Sequence, residues 1–215
     1  MLTINRKITP YNFTKNNNKH NDWLVIHYVG AVSSAKNNAQ YFYTAKRGAS
    51  AHYFVDANEI WQVVEDTDNA WHVGGAKTYY NACRNNNSIG IEMCCFKDDF
   101  GTWYFEPQTV QNTIELAREL IKKYGISRGH VVRHYDVTHK ICPAPFVNNP
   151  DAWQNFLDEV FKEDKEVEEL TTQEKCKAIR EYYNLDENTT QYFQFYRYNQ
   201  ALIDKLYAKT KNSDK

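Results

Sequence analysis

His27 stands near the end of the apolar run Trp-Leu-Val-Ile-His-Tyr-Val-Gly, and His134 and Cys142 lie eight residues apart in Arg-His-Tyr-Asp-Val-Thr-His-Lys-Ile-Cys-Pro. Two imidazoles and a thiolate make a tetrahedral zinc set with one position left open, the arrangement of a zinc that does chemistry. Each residue also has a plainer reading. A lone His in an apolar strand is usually a core histidine with satisfied hydrogen bonds, and a lone Cys is usually a small buried hydrophobe. Taken together the three favour a metal. His27 and His134 both close short β-rich runs, and ligand crevices in α/β sheets open at strand ends. His139 is a rival ligand; Cys142 is preferred because the loop carrying Pro143 and Pro145 lets it turn back.

Glu92 is the second chemical anomaly, a carboxylate in the otherwise apolar run Ile-Gly-Ile-Glu-Met-Cys-Cys. Burying it without a partner costs several kcal/mol or makes it take up a proton. It therefore expects either an ion pair with an Arg or a water to activate, and a raised pKa suits a general base. Lys140, two residues before Cys142, is either a solvated surface lysine or an oxyanion partner beside the metal.

These residues need a scaffold that brings strand ends together. Trp23 to Val29 reads as a strand buried on both faces, stopped by Gly30, and Ser88 to Phe96 reads as another. Ser33 to Arg47 reads as a helix. Ala51–Val55 and Ile60–Glu65 flank the turn residues Asp56 to Glu59 and predict a hairpin. Val110, Ile114, Ala117, Ile121 and Tyr124 recur at helical spacing between Pro107 and Gly125. His130 to His134 is a short strand, and Pro150 opens a further helix carrying Trp153, Phe156, Leu157 and Val160. Alternation of this kind predicts an α/β fold with a mixed central β-sheet flanked by helices.

Composition sets the outer limits. The 26 Lys and Arg against 27 Asp and Glu leave no basic excess for binding nucleic acid. The 16 Tyr, 11 Phe and 5 Trp serve a core or a sugar- or peptide-binding groove. Five Cys form no disulfide framework and fit reduced thiols. The first ten residues show no apolar signal segment, and no run approaches the ~20 apolar residues of a membrane span. The expectation is a soluble product of the cytoplasm. No His-Glu-x-x-His and no Gly-x-Ser-x-Gly is present.

The composition changes after Phe161. Residues 1–161 read as one catalytic domain, 162–170 as a charged linker or helix extension, and 171–215 as a small helical C-terminal element. Capping boxes at Thr171–Glu174 and Asn188–Gln191 open helices over about 172–183 and 189–209. Tyr192, Phe195, Tyr198, Leu202 and Leu206 form a stripe on the second. A pair of short helices needs something to cover such a stripe: the main domain, a second copy or a ligand.

Five blocks carry a family resemblance: Val-Ile-His-Tyr (25–28), Ser-Ala-His-Tyr-Phe-Val (50–55), Ala-Trp-His-Val-Gly-Gly (70–75), Ser-Ile-Gly-Ile-Glu-Met (88–93) and Arg-His-Tyr-Asp-Val-Thr-His-Lys-Ile-Cys-Pro (133–143). In this order they resemble the zinc-dependent type 2 N-acetylmuramoyl-L-alanine amidases, which include phage endolysins, bacterial autolysins and peptidoglycan recognition proteins. The resemblance implies zinc on His27, His134 and Cys142, with Glu92 as general base and Lys140 on the oxyanion. A branch of the family places a Tyr before the His of the second block; here that residue is Ala51, which leaves the load on Glu92. Tyr28, His52, Trp71 and His72 would line the groove or support the ligands. The implied substrate is bacterial peptidoglycan, cut between N-acetylmuramic acid and L-alanine, by an endolysin held in the host cytoplasm before release to the wall. The C-terminal helices would bind wall or form a homo-oligomer. The rival readings are a non-catalytic peptidoglycan-binding protein, a zinc peptidase acting within the stem peptide, and a structural zinc completed by His139.

Overall fold

A computed structural model of the chain describes residues 2–74, 78–80, 82–162, 171–186 and 199–211. It contains two compact units, Met1–Lys162 and Glu163–Lys215. The first is built on a six-stranded sheet in the order β1-β5-β4-β7-β3-β10. These strands are β1 (Ile4–Arg6), β3 (Trp23–Tyr28), β4 (Tyr53–Val55), β5 (Ile60–Gln62), β7 (Ser88–Met93) and β10 (Val131–Arg133). β10, β3, β7 and β4 are mutually parallel, and the β4–β5 pair is antiparallel, so the sheet is mixed. Two-residue strands form small side pairs, β2 (Phe13–Thr14) with β6 (Asn69–Ala70) and β8 (Phe96–Lys97) with β9 (Trp103–Tyr104).

Side-chain alternation divides the sheet into two faces. Leu24 and Ile26 of β3, Ile89, Ile91 and Met93 of β7, and Tyr53 and Val55 of β4 belong to one apolar core. α2 (Pro107–Tyr124) and α5 (Pro150–Val160) cover it with Ile114, Leu116, Leu120, Trp153, Phe156 and Leu157. α2 runs over the predicted span, with Pro107 in its first turn. It stops at Gly125, whose φ of 68° is open to glycine at little cost and whose N–H donates to the Ile121 carbonyl. On the other face α1 (Ala35–Thr44) packs Ala35 and Ala39 against Ala51, Phe54 and Val63. That face also carries Trp23, Val25 and His27 of β3, with Ser88, Gly90 and Glu92 opposite them on β7.

Several elements differ from expectation at their ends. α1 is shorter than Ser33 to Arg47, because Ser34 caps its start by accepting the Asn37 N–H. His134 is the first residue of a short helix, α3 (His134–Thr138), and not the last of β10. Arg133 and Asp136 cause the switch: the Asp136 carboxylate accepts the Arg133 backbone N–H at 2.8 Å and closes a capping box. A further short helix, α4 (Ala144–Val147), follows Cys142.

The second unit contains α6 (Thr172–Tyr183) and α7 (Asn199–Lys211). Thr171 and Glu174 form the predicted capping box. Cys176 and Ile179 of α6 meet Ile203 of α7 in a small buried cluster, with a Lys175–Asp204 ion pair at 2.8 Å beside it. The described part of α7 is Asn199–Lys211; the predicted Asn188–Gln191 capping box and Tyr192, Phe195 and Tyr198 of the predicted stripe lie outside the described residues, as do most of the linker residues. No described helix is long and apolar enough to cross a membrane.

Leu24 is fully enclosed in the apolar core, paired with Ile89 of β7 and Val131 of β10. Leu24→Ala should lower the unfolding free energy by about 2–5 kcal/mol, read from the denaturant midpoint of the full chain. The same truncation at exposed Val32 should change it by no more than about 0.5 kcal/mol.

Candidate active site

The three expected ligands converge from three elements. His27 is the penultimate residue of β3, His134 opens α3, and Cys142 sits in the loop between α3 and α4. Their ligand atoms all lie within 4.8 Å of one another. Cys142 Sγ is 3.7 Å from His27 Nδ1, and the His27 and His134 rings are 4.7 Å apart at 65°. The loop is tied down through its backbone: the Tyr135 N–H donates to the Cys142 carbonyl at 2.8 Å, and the Cys142 N–H donates to the Lys140 carbonyl at 2.7 Å. All three side chains are buried.

Without a cation this pocket is costly. Both ring nitrogens of His134 are buried and have no hydrogen-bond partner. Burial holds His134 down to about 4, with the Lys140 charge adding to the effect. Burial also lowers His27 well below the usual histidine range, helped by His134 and His72. The Cys142 thiol is pushed up to about 12, mainly by burial and then by Glu92, while the Tyr28 backbone amide and Lys140 act the other way. Two neutral imidazoles and a thiol that ionises only against a positive charge fit a thiophilic dication such as zinc. The orphaned His134 nitrogens are the observation that supports this fit.

Glu92 is the register partner of His27 across the β3–β7 ladder. Its Oε2 is buried and unpartnered, and burial raises the carboxyl to about 8 against the opposing charge of Lys140. The expected alternative, an ion pair with an Arg, is absent among the described residues. Lys140 is exposed, and its charge bears on His27, His134, Cys142 and Glu92 together. Glu92 also lines a cleft of about 440 Å³ with Ser33, Asn37, Asn38, Tyr41, Phe42 and Phe54 among its walls.

The four supporting residues fall in different places. Tyr28 flanks the site, its ring edge-on to Trp103 at 5.8 Å and its pKa raised by burial and by Cys142. His72 touches a ligand directly, its Nδ1 3.0 Å from His27 Nε2. His52 is fully enclosed. Its Nδ1 accepts the Gly90 N–H at 3.0 Å, and its Nε2 lies 2.8 Å from Nζ of Lys19, an amine that burial lowers to about 7. The Trp71 indole N–H donates to Thr14 at 2.9 Å, which ties β2 to the loop after β6. His139 stacks on Tyr79 at 3.5 Å and stands outside the metal-capable cluster. The cleft walls from α1 escaped the sequence reading, since Asn and Tyr on a polar helix carry no chemical signature. Ser88 and Gly90 escaped it too, although a glycine inside a buried strand often marks a close approach.

The N-acetylmuramoyl-L-alanine amidase family model matches residues 17–145. The N-acetylmuramoyl-L-alanine amidase CwlL of Bacillus licheniformis is 38% identical over 149 residues, which cover 64% of this chain and 40% of that protein. BlyA of Bacillus subtilis, also named an N-acetylmuramoyl-L-alanine amidase, is 36% identical over 152 residues, covering 63% of this chain and 40% of that protein. The chain thus spans about two fifths of the length of these relatives. Among solved structures, a mutant endolysin from Bacillus subtilis superposes with a TM-score of 0.62 at 25% identity, over 74% of this chain and 99% of that one. The catalytic domain of XlyA gives a TM-score of 0.60 at 25% identity, with the same coverage of 74% and 99%. Sequence match, sheet architecture and the converging His27, His134 and Cys142 agree: the chain belongs to the type 2 N-acetylmuramoyl-L-alanine amidase family.

Proposed function

We propose that this chain hydrolyses the amide bond between N-acetylmuramic acid and L-alanine in bacterial peptidoglycan, with a zinc ion on His27, His134 and Cys142. The observation that carries the reading is Glu92, a carboxylate with an unpartnered buried oxygen, in register with His27 and open to the cleft. Zinc would supply Lewis acidity, acidifying water and polarising a carbonyl oxygen. Glu92 takes the proton of the attacking water as that water's oxygen adds to the lactyl carbonyl carbon. The Lys140 ammonium, exposed at the surface, offsets charge growing on the carbonyl oxygen. The C–N bond then breaks, and Glu92 returns its proton to the departing L-alanine amine. The Lys140 charge draws the Glu92 carboxyl toward its ionised form, which a base requires, and a dication on the three ligands would add to that effect.

The likeness to an endolysin supports a lytic role; in this reading the enzyme stays in the host cytoplasm until its release to the wall. For residues 171–215 the reading is an accessory element that binds wall or joins two copies. In support, the family match ends at residue 145, and the helical pair has its own buried cluster and exposed Tyr182 and Tyr183. A second wall contact would raise the local concentration of the catalytic domain.

Digestion of purified cell wall should release new L-alanine amino termini without new reducing sugars. A new D-glutamate terminus would instead mark a peptidase, and tight binding without products a recognition protein. Glu92→Ala should lower turnover by about 10²–10⁴-fold while zinc content stays at the parent level.

A bound zinc would have to displace the Cys142 proton, since burial pushes that thiol up to about 12 and holds both histidines down in their neutral forms. Zinc affinity in a chelator competition should therefore rise about tenfold per pH unit through neutrality. A flat profile would mean that Cys142 is not a ligand.

Removal of residues 171–215 should reduce wall binding in a pull-down or halve the mass in solution. Unchanged binding together with an unchanged mass would refute the accessory role.

A further inference from the structure

His72 is buried and belongs to none of the steps above, yet its ring joins a metal-ligand candidate to the backbone by a continuous chain of hydrogen bonds. The chain has a direction, because a hydroxyl has one proton. Ser88 Oγ donates that proton to the Arg84 carbonyl at 2.6 Å, since a carbonyl can only accept. Ser88 Oγ also lies 3.2 Å from His72 Nε2 and can offer that nitrogen only a lone pair. His72 Nε2 must then carry a hydrogen. In the neutral ring His72 Nδ1 is left as an acceptor, and it faces His27 Nε2 at 3.0 Å. His27 Nε2 must in turn carry its hydrogen, which leaves the lone pair on Nδ1. That is the atom 3.7 Å from Cys142 Sγ.

Two further features hold His72 in this role. Its backbone N–H and that of Val73 both donate to the Asn85 side-chain oxygen, at 3.1 and 2.9 Å. Its ring also lies against Gly90, where an added Cβ would sit 2.7 Å from both Cγ and Nδ1. A glycine inside a buried strand weakens it through lost packing and backbone entropy. Here the His72 ring occupies the space that a side chain would need.

We propose that Ser88 and His72 form a positioning relay that fixes His27 as its Nε2–H tautomer and aims its Nδ1 lone pair at the metal position. This rests on the zinc reading for its purpose but not for its geometry. His72 acts through His27 and is not itself a catalytic residue. The logic is general for histidine ligands, whose second ring nitrogen needs a partner to set tautomer and orientation.

The test uses the full chain and two readouts. In the metal-free protein, imidazole nitrogen shifts should place the ring proton on Nε2 of both His27 and His72. A proton on Nδ1 of either ring overturns the relay. In chelator competition, His72→Phe fills the space without an acceptor and should weaken zinc binding about 10–100-fold. His72→Asn, whose amide oxygen can stand near the place of Nδ1, should recover at least part of that loss. Ser88→Ala should weaken binding in the same direction, and it serves as the decisive variant if His72→Phe fails to fold. Zinc affinity within about twofold of the parent in a folded His72→Phe or Ser88→Ala protein overturns the proposal. A parent chain that shows both Nε2 protons yet binds no zinc supports the relay and sinks the zinc-amidase reading, so the two failures are separable.

Discussion

The parallel register of β3 against β7 places Trp23 opposite Ser88, Val25 opposite Gly90 and His27 opposite Glu92. Paired residues in such a ladder rise from the same face, and the next residue along rises from the other. Leu24, Ile26, Ile89 and Ile91 therefore enter the core under α2 and α5, while His27 and Glu92 share the opposite face. β10 extends the pattern, with Val132 beside Val25 and His134 following two residues on. A slip of one residue would bury the carboxylate and the imidazole in the apolar core and expose the isoleucines. The hydrophobic core thus excludes other registers and holds the site together.

What the register assembles is unfavourable on its own terms. Glu92 has an unpartnered buried oxygen, His134 has two unpartnered nitrogens, and Cys142 keeps its proton far above neutral pH. Each of these groups has one cause, desolvation, and one remedy, a positive charge in their midst. Lys140 supplies part of that charge from an exposed position, and its influence reaches all of them. A dication between the ligand atoms would remove the rest of the cost while completing the chemistry. Binding of the proposed metal would offset that cost and so couple metal uptake to folding.

The trio, Glu92 and Lys140 were legible in sequence because unusual residue types stood in unusual places: a carboxylate in an isoleucine run, imidazoles at strand ends. α2 and α6 were legible to the residue because Pro107, Gly125 and the Thr171–Glu174 box mark their ends chemically. β1 was not, since Ile-Asn-Arg is a three-residue edge strand whose identity depends on its pairing with Ile60–Gln62. Nor was the switch from β10 to α3, which turns on one Arg133–Asp136 bond within an apparently continuous strand. The roles of Ser88 and Gly90 depend on a loop forty-five residues from His27 in sequence folding back onto it, and local patterns carry no trace of that.

Position 51 shows how the scaffold narrows the chemistry. Its side chain is fully buried in a cluster with Ala35, Ala39, Phe54, Val63 and Cys94, under α1. Its neighbours there are mostly apolar, and a larger polar side chain would have to displace the alanines through which α1 packs on the sheet. Phe54 of the same cluster also walls the cleft beside Glu92, so the apolar packing under α1 and the dry environment of the carboxylate are one structure. Burial of Glu92 beside this cluster raises its carboxyl to about 8. In the proposed reaction, alanine at 51 leaves proton transfer to the single carboxylate of Glu92, whose pKa its buried surroundings raise.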